Sequence, residues 1–178
     1  PHRMETCIAE RREPGMIVFN VRPGGSANRA SEVGWIIGMD QAGKFPLNLK
    51  FDTPAQDSCA LANGNLMFSL TGAGIIQEVT RSGGTVRQWH VAGKWRDKTP
   101  PAGSIEIDVP LTHHRINVLP NGNLLMLSAE LRELPDWPEN DDDLNALRGM
   151  ARVVGDVILE VSPTGDIINR WPMLDLLD

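Results

Sequence analysis

The sequence predicts an all-β chain of β-propeller blades, with short helical insertions. It would supply about three to three and a half four-stranded blades of a larger propeller of about six. Three observations point there: two short motifs recur, their turns are almost evenly spaced, and the composition favours turns over helix. Of 178 residues, 17 are glycine and 13 proline, while 41% are hydrophobic. That apolar fraction supports a folded core and argues against disorder.

The first motif is Glu78-Val79-Thr80-Arg81-Ser82-Gly83-Gly84-Thr85-Val86-Arg87-Gln88-Trp89, which aligns without a gap on Glu160-Val161-Ser162-Pro163-Thr164-Gly165-Asp166-Ile167-Ile168-Asn169-Arg170-Trp171. Each reads as strand, tight turn, strand, with β-branched residues flanking a glycine turn. A fainter copy, Ile37 to Phe45, places its turn at Gly43. The second motif pairs Leu61-Ala62-Asn63-Gly64-Asn65-Leu66-Met67-Phe68 with Leu119-Pro120-Asn121-Gly122-Asn123-Leu124-Leu125-Met126. Asn-Gly between apolar runs predicts a hairpin whose two turn residues both take positive φ.

The motifs alternate. Gly43 and Gly83 are 40 residues apart with Asn63 midway, whereas Asn121 follows Asn63 by 58 residues and Gly165 follows Gly83 by 82. Insertions near 91–108 and 129–152 explain the excess. A unit of about 40 residues in two hairpins is the period of a propeller blade. Residues 1–178 therefore read as one partial propeller domain, with the Trp that closes each second hairpin packed between blades. A meander in a sandwich or an open sheet is the alternative.

Helix is expected in two places: Asp143 as N-cap of a short helix through Leu144–Met150, and a helix opened by Pro172. Cys7 and Cys59 have no metal-ligand spacing and read as small buried residues, bridged only in an oxidising compartment. Lys94-Trp95-Arg96-Asp97-Lys98 reads as an exposed loop in the first insertion, its Trp95 available to an aromatic ligand, and His90 as a blade-edge residue. Arg22-Pro23-Gly24-Gly25-Ser26 lacks the Lys-Ser/Thr of a phosphate loop. The acidic run Glu139–Asp143 lacks the glycine and distal glutamate of a calcium loop and reads as a solvated helix start, so no metal is expected. The formal net charge of −6 argues against nucleic-acid binding, and no apolar run is long enough to span a membrane as a helix. The opening Pro1-His2-Arg3-Met4 shows no signal peptide and leaves the compartment open.

Chemistry is expected at Thr112-His113-His114-Arg115, just ahead of the second Asn-Gly hairpin. In a blade, the first strand lines the central channel. Alternation along a regular strand sends His113 and Arg115 one way and His114 the other, so one histidine at most faces the channel. The matching residues of the earlier repeat, Ala55-Gln56-Asp57-Ser58-Cys59, contain no histidine, so the fold does not demand the pair. A structural pair, one ring bonding backbone and the other exposed, is the plain alternative.

With this segment, Leu119-Pro120-Asn121-Gly122-Asn123-Leu124-Leu125-Met126-Leu127, Gly155 to Val161 and Asn169-Arg170-Trp171-Pro172, the chain resembles the bacterial arylsulfotransferases from about Gly34 onward. The resemblance implies a propeller enzyme that moves a sulfuryl group from an aryl sulfate donor to a phenolic acceptor through a sulfo-histidine intermediate, without a nucleotide donor or other cofactor. It places the nucleophilic histidine beyond Asp178. His114 and His113 are then the catalytic candidates, contacting substrate or handling protons, and Arg115 the substrate-binding candidate, against sulfuryl oxygens. A bacterial periplasmic location and a homo-oligomer are compatible with the resemblance. The contrasting readings are a propeller that binds a ligand or protein without turnover, and one with a hydrolytic activity.

Overall fold

The computed structural model describes residues 8, 11, 13–22, 33–140, 142–143 and 145–176. They form three sheets. The first is β1 (Ile17–Val21), β2 (Gly34–Met39) and β3 (Leu47–Phe51) in that order. The second runs β4 (Gln56–Ala60), β5 (Leu66–Leu70), β6 (Ile75–Val79), β7 (Thr85–Val91) and β8 (Ile105–Ile107). The third runs β9 (His113–Val118), β10 (Leu124–Pro138), β11 (Arg148–Val161) and β12 (Ile167–Pro172). Every strand pairs antiparallel with its sequence neighbour except β8, which lies parallel to β7. The strands β4–β7 and β9–β12 thus repeat one four-stranded meander, and the all-β architecture is consistent with propeller-like blades.

Five turns share one hydrogen-bond pattern. In the first of the Asn-Gly turns, Leu61 N donates to Asn65 O (2.8 Å) and Gly64 N to Leu61 O (2.9 Å). The same pair of bonds closes Asp40–Lys44, Thr80–Gly84, Leu119–Asn123 and Ser162–Asp166. In each, the glycine carries the positive φ: Gly43, Gly64, Gly83, Gly122 and Gly165 lie between +73° and +94°. Asn63 and Asn121 do not, contrary to the expectation for a two-residue Asn-Gly turn. The loop is the longer form, a tight turn followed by a left-handed glycine. The asparagine instead accepts a hydrogen bond on its Oδ1 from the backbone N–H of Asn65 or Asn123 (3.0 Å each).

The sheets stack face to face. Leu66, Phe68 and Leu70 of β5 join Ile36, Leu47, Ala55, Ile75 and Val79 in one core, between the first and second sheets. Met67, Ile76, Trp89 and Val91 join Ile116, Leu124, Met126, Val157, Leu159 and Val161 in the other, between the second and third. The middle sheet is therefore apolar on both faces, and every residue of β5 is buried. The outer β2 alternates buried and half-buried residues, as a strand with one covered face must. Trp89 is fully buried between two sheets, and its Nε1 donates to Pro163 O (3.1 Å). Its repeat partner Trp171 is 41% exposed.

The helix expected over Asp143–Met150 does not form. Strands β10 and β11 run on past the sheet as a two-stranded ribbon, with Leu131 opposite Val154 and Leu134 opposite Ala151. Near the tip, Glu139 N donates to Leu147 O (2.9 Å) and Asn145 N to Asp143 Oδ1 (2.9 Å). A helix this short is marginal alone, and continuous pairing through Val153 and Val154 outcompetes it. Asp141 and Leu144 lie outside the described residues. Helix occurs instead as a four-residue α1 (Ala92–Trp95) and a 3-10 turn at Met173–Asp175, with Pro172 at its N-cap. No described helix is long and apolar enough to cross a membrane.

The chain from α1 to β8 corrects two further expectations. His90 is buried rather than at an edge, because β8 adds on beside β7 with Glu106 opposite it. Its Nδ1 lies 2.8 Å from Ser104 Oγ and its Nε2 3.3 Å from Glu106 Oε2. Trp95 is not available to a ligand as an exposed loop residue: it packs on the first core and donates Nε1 to Ala73 O (2.9 Å). Cys59 is unbridged and half-buried; Cys7 and the segment Pro23–Ser26 lie outside the described residues.

Candidate active site

The edge strands β1, β4 and β9 of the three sheets run beside one another. Asn20 of β1 donates to Ala55 O (2.7 Å) and accepts from Ser58 Oγ (2.9 Å), while Cys59 Sγ of β4 reaches Ile116 O of β9 (3.6 Å). Both β4 and β9 break register at the same point of the repeat, between Gln56 and Cys59 and between His113 and Asn117. A left-handed residue sits in each bulge: Asp57 (φ +45°) and His114 (φ +54°). Bulges redirect side chains, and a non-glycine residue at positive φ costs about 1–2 kcal/mol.

The bulge overturns the alternation expected of His113 and His114. Their rings meet edge to face at 5.0 Å between centroids, with the two Nδ1 atoms 2.7 Å apart. His113 is flanked by two buried, hydrogen-bonded hydroxyl residues. Thr112 and Ser128 are buried, Thr112 Oγ1 donates to Leu127 O (3.1 Å), and Ser128 Oγ donates to Leu111 O (2.7 Å). His113 Nε2 faces Ser128 O (3.3 Å) and Asp156 Oδ1 (3.4 Å). The ring of His114 is exposed. Asp156 stands where the β10–β11 ribbon leaves the sheet, so this end of β9 lies at the ribbon's root.

Arg115 lines a different feature, a cleft of about 540 Å³ between the second and third sheets, with Cys59, Asn63, Glu78, Arg87 and Asn117 among its walls. Its guanidinium has no hydrogen bond or ion pair to any described residue. Burial pushes the Cys59 thiol up, an effect that the charge of Arg115 partly opposes. The structure therefore brings the two histidines together and sets Arg115 in the neighbouring cleft, which neither histidine lines. Among the described residues, no group of three metal-ligating side chains converges.

Beside the cleft lies a clasp that the sequence reading passed over. Asn63 and Asn65 donate their amides to Glu78 Oε1 (3.0 and 2.6 Å), and Arg87 donates to Glu78 Oε2 (3.1 Å). Burial raises the Glu78 carboxyl, but the three donors outweigh it and hold it below the usual range. The next repeat copies this: Asn123, Asn169 and Asn121 hold the carboxyl of Glu160 low. The signal was present in the shared Glu and Asn-Gly-Asn of the two motifs.

A family model described as Arylsulfotransferase (ASST) matches residues 9–178, and the chain belongs to that family. Comparison with curated proteins gives no match. Two solved structures are similar in part. A protein of unknown function from Bacteroides caccae is 16% identical over 77% of this chain and 38% of its own, with a TM-score of 0.44. A streptogramin B lyase is 14% identical over 89% of this chain and 58% of its own, with a TM-score of 0.36. The chain thus spans less than two thirds of either.

Proposed function

We propose that this chain is a segment, about three to three and a half blades, of a β-propeller enzyme that transfers a sulfuryl group from an aryl sulfate to a phenol. The observation that carries the reading is the histidine pair: the exposed His114 is held against His113 with the two Nδ1 atoms 2.7 Å apart, whereas the matching bulge of the earlier repeat holds Asp57. Membership of the arylsulfotransferase family supplies the reaction class, and the adjoining edge strands β1, β4 and β9 are the natural lining of a propeller channel.

The chemistry needs a nucleophile and a proton carrier. A histidine nitrogen, from a part of the protein beyond this chain, attacks sulfur; the N–S bond forms as the S–O bond to the aryl group breaks, and the aryl oxygen leaves with the electron pair. His114 gives that oxygen a proton. In the second half, the acceptor phenol returns a proton to His114 while its oxygen bonds sulfur and the N–S pair goes back to nitrogen. Arg115 lines the neighbouring cleft rather than the histidine pair, so its role is to hold an anionic part of the substrate there, not the sulfuryl oxygens beside His114. The test is transfer from a chromogenic aryl sulfate to phenol by the full-length protein with no nucleotide donor. Transfer supports the reading; binding of the aryl sulfate without turnover marks a non-catalytic binding module instead.

A further inference from the structure

We infer that Asp156, acting through His113, fixes the tautomer of His114 so that His114 Nε2 is the atom that exchanges the proton with the phenolic oxygen. The inference rests on the proposed function and assigns each member of the pair a distinct part. Both groups facing His113 Nε2, the carbonyl of Ser128 and the carboxylate of Asp156, are acceptors. His113 Nε2 therefore carries a proton. A neutral His113 then has its lone pair at Nδ1, and the 2.7 Å contact makes His114 Nδ1 the donor into it. His114 Nε2 is left with the free lone pair, and no described residue hydrogen-bonds to it.

The neutral pair thus holds two protons, one on His113 Nε2 and one between the Nδ1 atoms. A third goes to His114 Nε2. The resulting imidazolium donates to a neutral His113, whose far side faces a carboxylate, giving an alternation of negative, neutral and positive groups from Asp156 to His114. The proton is taken up without moving any heavy atom, which suits a group that takes up and returns one proton per transfer. His114 is the catalytic residue; His113 and Asp156 are positioning residues. Asp156 is 57% exposed, so its charge is partly screened and its effect is modest.

The test uses the full-length protein labelled with 15N at histidine. Long-range 1H–15N spectra above the imidazole titration should show His113 protonated at Nε2 and His114 at Nδ1. Asp156→Asn should lower kcat/KM about tenfold. Asp156→Glu should recover most of the loss. His114 found protonated at Nε2 in the wild type, or an Asp156→Asn variant as active as the wild type, overturns the relay. The tautomers are read without substrate, so a wrong tautomer in an active enzyme defeats the relay alone. Correct tautomers in a protein that transfers no sulfate defeat the proposed function alone.

Discussion

Ser69 Oγ donates a hydrogen bond to the carbonyl of His114 (3.3 Å). The middle sheet thereby holds, from outside, the peptide group at the left-handed position of the neighbouring sheet. The strain at His114 is met by a buried serine, 1% exposed, on β5.

Replacing His114 by glycine should therefore separate stability from activity. Glycine removes the penalty of a left-handed residue, about 1–2 kcal/mol, and gives back part of it as chain entropy. We expect His114→Gly to melt no lower than the wild type while sulfuryl transfer falls about a hundredfold or more. His114→Ala should lose the same activity and melt below the glycine variant. Calorimetry beside steady-state rates checks this.

The Glu78 clasp predicts an asymmetry between repeats. Glu78 is buried, so Glu78→Ala leaves two asparagine amides and Arg87 without their acceptor and should cost about 2 kcal/mol in urea unfolding. Glu160→Ala, at the open equivalent, should cost clearly less.

Acid should act through the same group. The folded state holds the Glu78 carboxyl below its ordinary value of 4.5, so the unfolded chain binds protons more readily. Its contribution is complete above that value and is lost as pH falls through the lower, folded one. Stability measured against pH should drop below about 4.5 and drop less steeply in Glu78→Ala.

Two turn glycines offer a matched pair. At Gly122 (φ +86°) an added Cβ meets only Pro163 Cγ, at 3.9 Å. At Gly165 (φ +94°) it would overlap the backbone carbonyl of Glu106 on β8. Gly122→Ala should cost the conformational term alone, about 1–2 kcal/mol. Gly165→Ala should add a backbone displacement and cost at least about 3 kcal/mol. Denaturant midpoints distinguish them.

The turn type at Asn63 and Asn121 and the exposure of Trp171 escaped the sequence, but the positions of the turns, their spacing and the burial of Trp89 were legible because each is marked locally: a glycine, an interval, an indole ending a strand. The bulge at His114 was not. It is a mismatch of register between β9 and β10, and a strand read alone alternates. The same blindness hid β8, whose three residues Ile105–Ile107 form a strand only because β7 offers an edge. It also turned a ribbon into a helix, since the pairing of Val153 with Arg132 spans residues that a helical window never compares. Asp156 could not be nominated beforehand for the same reason: 43 residues separate it from His113.

Sulfuryl transfer through His114 is measured by incubating the full-length protein with a chromogenic aryl sulfate and phenol, without any nucleotide donor, and following phenyl sulfate formed by wild type and His114→Gly side by side. The wild type should transfer steadily and the glycine variant at least about a hundredfold less, with both equally folded. Equal rates for the two, or no phenyl sulfate from a folded wild type, would contradict it.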